Sequence, residues 1–170
     1  MDIREDMEPN IAAAYFAMDM LSGSDLVRVA LHALQSDIVS PSLMILAGEL
    51  EHIATLDEVA PLFRKSLKEL GIKLPDREEA LKEVVRDYAR QMLSQQMSLK
   101  RGILHIGELC YQVQEVPEWL RPLQAAYYYY DDLLDHLRVE SISASQKQQE
   151  IDKADLKVLV ACRNLLESAS

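Results

Sequence analysis

Residues 123 to 137 read Leu123-Gln-Ala-Ala-Tyr-Tyr-Tyr-Tyr-Asp-Asp-Leu-Leu-Asp-His-Leu137, and the spacing of their apolar members decides the fold class. At about 100° per residue, one arc of roughly 120° collects Leu123, Ala126, Tyr127, Tyr130, Leu133, Leu134 and Leu137, an ordinary core-facing helical stripe. Four successive tyrosines cannot share that arc. Tyr128, Tyr129, Asp131, Asp132, Asp135 and His136 fall on the opposite side, so the helix is expected to present aromatic rings among carboxylates and an imidazole. Tyrosine brings large contact area with few rotatable bonds, and carboxylates attract and orient a basic partner. The pattern therefore points to protein recognition.

Outward from this stretch the same helical period recurs. The chain has 170 residues, 49% of them hydrophobic, with only 5 Gly and 6 Pro, a composition that favours helices. We expect an all-α fold, a compact bundle of about seven or eight mostly antiparallel helices in a single domain over residues 1–170. Residues 1–8 read as a frayed acidic start, and 141–145 as a mobile loop.

The helix boundaries follow from capping signals. Pro9 to Met20 carries Ile11, Tyr15 and Met18 at helical spacing. Ser24 is the expected cap of a second helix with Leu26, Val29, Ala30 and Ala33 inward. Ser40-Pro41 opens a short, central apolar helix running to about His52. Thr55 with Glu58 and Asp76 with Glu79 have capping-box spacing, and Gly71 closes the helix between them. The helix after Asp76 carries Ala80, Val84, Tyr88, Met92 and Gln95 as its stripe. A turn is expected near residues 98–102, then a helix using Ile103, Ile106, Leu109 and Cys110. Trp119, between Pro117 and Pro122, is expected to plug a helix junction. Ser145 with Gln148 is the expected cap of a last helix using Ile151, Leu156, Leu159, Val160 and Leu166.

The formal net charge is −10, which repels phosphate backbones and anionic lipid and makes nucleic acid and membrane surfaces poor partners. Residues 1–63 hold 2 basic and 11 acidic side chains, whereas 64–101 hold 10 and 6. No apolar run is long enough to cross a bilayer, and no basic, apolar leader opens the chain. The expected location is the cytoplasm, where Cys110 and Cys162 are expected to be buried, reduced thiols.

Catalytic patterns are incomplete. Glu49-Leu-Glu-His52 has the spacing of a helical di-iron ligand pair, but the only counterparts are His105-x-x-Glu108 in reversed order and the aspartates near His136. Asp131-Asp132-x-x-Asp135 matches the aspartate-rich string of isoprenoid synthases without the second metal motif such a site requires. Glu79, Glu83 and Asp87 alternate with Lys82, Arg86 and Arg90 and read as an ion-paired helix surface. No nucleophile elbow, glycine-rich phosphate loop or zinc-protease motif is present. Neither catalysis nor a cofactor or metal is expected.

Ser40-Pro-Ser-Leu-Met-Ile-Leu-Ala-Gly48, Leu62-Phe63, Leu67, Glu69-Leu-Gly71, Glu79-Ala80 and Ala89-Arg90 resemble a family of small uncharacterised bacterial all-helical proteins over roughly residues 40–102. The segment Gln95 to Arg101 departs from the family's turn, although Gly102 is kept. The resemblance implies a bacterial, helical protein and carries no activity with it.

The function these features imply is non-enzymatic protein binding, most concretely an immunity protein that neutralises a basic toxin domain. Tyr128 and Tyr129 would anchor, Asp131, Asp132 and Asp135 would steer and pair, and His136 would flank. The alternatives are a helical chaperone or adaptor for a secreted protein and, more remotely, a metal-dependent hydrolase using Glu49, His52, His105, Glu108 and the aspartates. The tyrosine surface equally suits a homodimer contact.

Overall fold

The computed structural model describes residues 6–139 and 143–168. Among the described residues the chain forms eight α-helices, a single 3-10 turn and no strand, so the expected all-α class holds. Two compact units, Met1–Val84 and Val85–Ser170, divide the chain within its fifth helix.

The first unit contains α1 (Pro9–Ala17), α2 (Gly23–Gln35), α3 (Pro41–Ala47), α4 (Leu56–Glu69) and the first part of α5 (Arg77–Leu93). Helices α2, α3 and α4 pack on one another, and α1 packs on α2 and α4. Leu26, Ala30, Leu43, Leu46 and Phe63 are fully buried in this core, and the Phe16 and Phe63 rings meet edge to face at 5.3 Å. Residues 1–5 of the expected frayed start lie outside the described residues; Met7 is buried at 1% exposure.

The caps are largely those the sequence suggests. Ser40 Oγ accepts from the Leu43 amide at 3.2 Å. Asp76 accepts from the amides of Glu78 and Glu79, and Glu79 answers by accepting from the Asp76 amide. Gly71 takes a left-handed φ of 71°, and Ile72 donates back to the Leu67 carbonyl at 2.8 Å. That is a Schellman closure, for which glycine is the residue without a Cβ penalty.

Several boundaries differ. Ser22, not Ser24, caps α2: its hydroxyl accepts from the Asp25 amide while Asp25 accepts from the Ser22 amide at 2.8 Å. Gly23 is then the first helical residue, where a Cβ would lie 2.3 Å from the Ala54 carbonyl oxygen. Helix α3 ends at Ala47 rather than near His52, and it is not central. Met44 and Ile45 are 52% and 55% exposed while Leu43 and Leu46 are buried. Its amino terminus is held by Glu69, which accepts from the Ser42 amide at 2.9 Å and the Ser42 hydroxyl at 2.8 Å.

Helix α5 is buried on more than one side, with Ala80, Leu81, Val84, Val85, Tyr88, Ala89 and Met92 all in the core. The expected surface placement is accordingly wrong for Asp87, which is 2% exposed and accepts from Gln91 Nε2 at 2.6 Å. Gln95 does not extend the stripe; it lies beyond the helix, exposed, with φ 61°.

The second unit contains the rest of α5, α6 (Leu99–Tyr111), the 3-10 turn Glu118–Leu120, α7 (Arg121–Val139) and α8 (Ala144–Glu167). Helix α7 packs on both α6 and α8, which also touch each other. The α6 core face is the expected one, with Ile103, Ile106, Leu109 and Cys110 buried. Gly102 allows close approach to Met92, whose sulfur would lie 2.3 Å from an added Cβ. At the 3-10 turn the buried plug is Leu120, while Trp119 is half-buried.

Helix α8 departs most from expectation. Residues 141 and 142 of the expected mobile loop lie outside the described residues, and Ser143, not Ser145, is the cap, reciprocally bonded with Gln146. The buried face is Ala154, Val158, Ala161, Cys162 and Leu165. Leu156 and Val160 point outward at 61% and 46% exposure. Small residues on α8 let it approach α7 closely, and the larger aliphatic stripe is left outside.

Candidate functional site

Helix α7 buries Leu123, Ala126, Tyr127, Tyr130 and Leu133, as its period requires, and leaves Leu134 and Leu137 half-buried. With that face inward, Tyr128, Asp132 and Asp135 follow one another at four- and three-residue steps and form a single ridge. Tyr128 is 45% exposed, and Asp132, Asp135 and His136 are exposed as well. Asp131 is half-buried on the flank next to Tyr127.

Tyr129 is the exception among the expected anchors. Its ring is half-buried on the flank facing α8, with Lys157 Nζ 3.5 Å from the ring centroid. A cation held over an aromatic face stabilises both groups where they stand. Tyr129 therefore serves the α7–α8 contact rather than the ridge.

A residue that the sequence pattern did not single out takes its place. Tyr111, the last residue of α6, is 67% exposed. It meets the buried Tyr127 ring edge to face at 6.1 Å, and Tyr127 in turn lies 5.4 Å from Tyr128. Two exposed tyrosines from different helices are thus joined through a buried third. The neighbouring Tyr111 hydroxyl first, then burial and the Asp131 carboxylate, push the Tyr127 hydroxyl up to about 12. Gly107 makes room for this ring: an added Cβ would lie 2.4 Å from two of its carbons.

The base of α7 is fixed by Tyr130, whose hydroxyl donates to Asp155 Oδ1 of α8 at 3.2 Å. Burial first, and then the Asp155 carboxylate, push the Tyr130 hydroxyl up to about 12. On the same pair of helices an open groove of about 460 Å³ is lined by Pro122, Ala125, Leu156, Lys157, Val160 and their neighbours. Its existence follows from the outward turn of Leu156 and Val160.

The other candidates disperse. Glu49 and His52 are exposed in the turns after α3, so the helical spacing that gave them a shared face is absent. His105 Nδ1 lies 3.3 Å from Glu108, and its ring stacks on Tyr88 at 5.6 Å. Among the described residues no group of three or more His, Cys, Asp and Glu side chains could hold a metal ion. Cys110 and Cys162 are buried and unbridged, and burial pushes their thiols up to about 11 and about 12. No helix among the described residues is long and apolar enough to cross a membrane.

Comparison with protein-family models found no match, and comparisons with curated proteins and with solved structures found none either.

Proposed function

We propose that this chain is a non-enzymatic protein-binding protein of the cytoplasm, most concretely an immunity protein that occludes a basic toxin domain. The observation that supports this reading is the joining of exposed Tyr111 and Tyr128 through buried Tyr127, beside the carboxylate ridge of Asp132 and Asp135. Tyrosine rings fixed by packing lose little entropy on binding, and the chain's net negative charge of −10 speeds encounter with a basic surface. The second of the two anchors becomes Tyr111, with Tyr129 stabilising the scaffold. Such a protein needs no chemistry of its own, only a preformed surface that fits over a substrate site.

A second reading, a chaperone or adaptor for a secreted protein, is favoured by the apolar groove between α7 and α8. An extended or helical segment of a client would occupy it. Limited proteolysis of the purified complex separates the two. A folded, protected partner domain supports neutralisation of a toxin, and a short protected peptide supports chaperoning. A partner that is cleaved as rapidly in the complex as alone contradicts both.

A further inference from the structure

Between residues 29 and 63 the sequence contains no lysine or arginine and five carboxylates, Asp37, Glu49, Glu51, Asp57 and Glu58. The same segment carries the densest group of exposed apolar side chains in the first unit. Val39, Met44, Ile45, Leu50 and Ile53 are 57%, 52%, 55%, 57% and 62% exposed. They belong to one local piece of structure. Helix α3 is seven residues long, or about 10 Å at 1.5 Å per residue. The turns that follow fold back tightly, with Glu49 donating to the Leu46 carbonyl and both Ile53 and Ala54 donating to the Leu50 carbonyl. The Glu51 carboxylate is tied to Arg28 of α2 at 3.3 Å, which anchors these turns to the packed helices. Large apolar side chains exposed so close together in one segment, among polar neighbours, suit an interaction site.

The rim decides the occupant. A second copy meeting this surface through a two-fold axis would bring the same predominantly acidic patch, with Arg28 and Lys65 as its neighbouring bases, against itself, and like charges placed together oppose association. Anionic lipid is repelled for the same reason. A partner helix with one apolar face and lysines or arginines along its edges satisfies both the apolar side chains and the surrounding carboxylates. We propose that α3 and the turns after it form a second docking surface, distinct from the α7 ridge, for a basic amphipathic helix of a protein partner.

The test uses the full chain and a synthetic helical peptide of about 18 residues, built from leucine on one face and lysine on the other. A control peptide carries glutamate in place of lysine. Binding is followed by fluorescence anisotropy at low and high salt. The leucine–lysine peptide is expected to bind the wild type, to lose about tenfold in affinity with Met44→Ser/Ile53→Ser, and to weaken with Glu49→Gln and with added salt. It should bind Tyr128→Ala/Asp132→Asn as it binds the wild type, and the glutamate peptide should not bind. Because Met44 and Ile53 are exposed, the variant is expected to keep its helical circular dichroism. Equal binding of the peptide to wild type and Met44→Ser/Ile53→Ser would overturn the proposal. Concentration-dependent self-association of the wild type that Met44→Ser/Ile53→Ser abolishes would overturn it too, by making a second copy the occupant. Binding to anionic vesicles lost in the same variant would assign the patch to lipid instead.

Discussion

Lys157 holds its ammonium group 3.5 Å from the centroid of the Tyr129 ring, one side chain from α8 and one from α7. The pair separates two tyrosines that are adjacent in sequence into different roles. Tyr129 is clasped within the fold, while Tyr128 is left on the ridge.

The clasp predicts opposite phenotypes for neighbouring substitutions. Lys157→Ala should lower stability by about 0.5–1 kcal/mol, the usual size of such a contact near the surface. Tyr129→Ala should also register mainly in stability. Tyr128→Ala should leave the urea midpoint nearly unchanged and weaken partner binding. Denaturation curves and affinities measured on the same three proteins check this.

Gly107→Ala should act through Tyr127. The added methyl would press on ring carbons at 2.4 Å, an overpacking cost of about 1–3 kcal/mol, offset by up to about 1 kcal/mol from better helix propensity. A net loss of stability is expected, together with displaced Tyr111 and Tyr128 ring resonances in NMR spectra. An unperturbed aromatic spectrum would contradict the tyrosine cluster.

Tyr130→Phe should cost about 1 kcal/mol, because it removes a donor from a partly buried carboxylate. Asp155→Asn should cost less, since the amide oxygen can still accept from Tyr130. Burial holds the Asp155 carboxyl above its ordinary range despite the Tyr130 hydrogen bond, with nearby Asp152 adding to the effect. A raised acid pKa favours the folded state at low pH and costs stability as pH rises through the folded value. Stability should therefore fall for the wild type relative to Asp155→Asn over that rise, as urea midpoints at several pH values would show.

Glu69 should give the reverse pH dependence. The Ser42 amide is the main cause that holds its carboxyl below the ordinary range. A depressed carboxylate contributes stability in full above its ordinary value of about 4.3 and loses it as pH falls through the lower folded value. Glu69→Gln should therefore be less stable than wild type near neutrality, with the gap closing in acid. A gap that stays constant with pH would contradict the contact.

Much of the fold is legible because the apolar period and the capping pairs agree. The α2 and α6 stripes, and the caps at Ser40 and Asp76, are where the sequence puts them. Helix α8 is not, because it carries two competing stripes and the bulkier one suggests the core. Packing instead selects Ala154, Val158 and Ala161, whose small side chains admit α7, and leaves Leu156 and Val160 outside. Asp87 illustrates a second limit: a helix packed on more than one side buries positions that local charge alternation marks as surface.

The α7 ridge was legible for a related reason. One helix cannot inter four consecutive tyrosines, and the period alone places Tyr128, Asp132 and Asp135 outward. Two things depended on other helices and so lay beyond that reading. Lys157 reaches Tyr129 from α8, and Tyr111 reaches Tyr127 from the end of α6. The available signal for Tyr111 was an aromatic residue just outside the α6 core stripe, which alone does not say what it meets.

The most direct test of the central claim is affinity capture from native host lysate and secreted proteins, using wild type and Tyr111→Ala/Tyr128→Ala at low and high salt. The account predicts a basic partner retained by the wild type, released as salt rises, and lost with the double variant. Identical retention by both proteins, or retention insensitive to salt, would contradict a role for the tyrosine and aspartate ridge in binding.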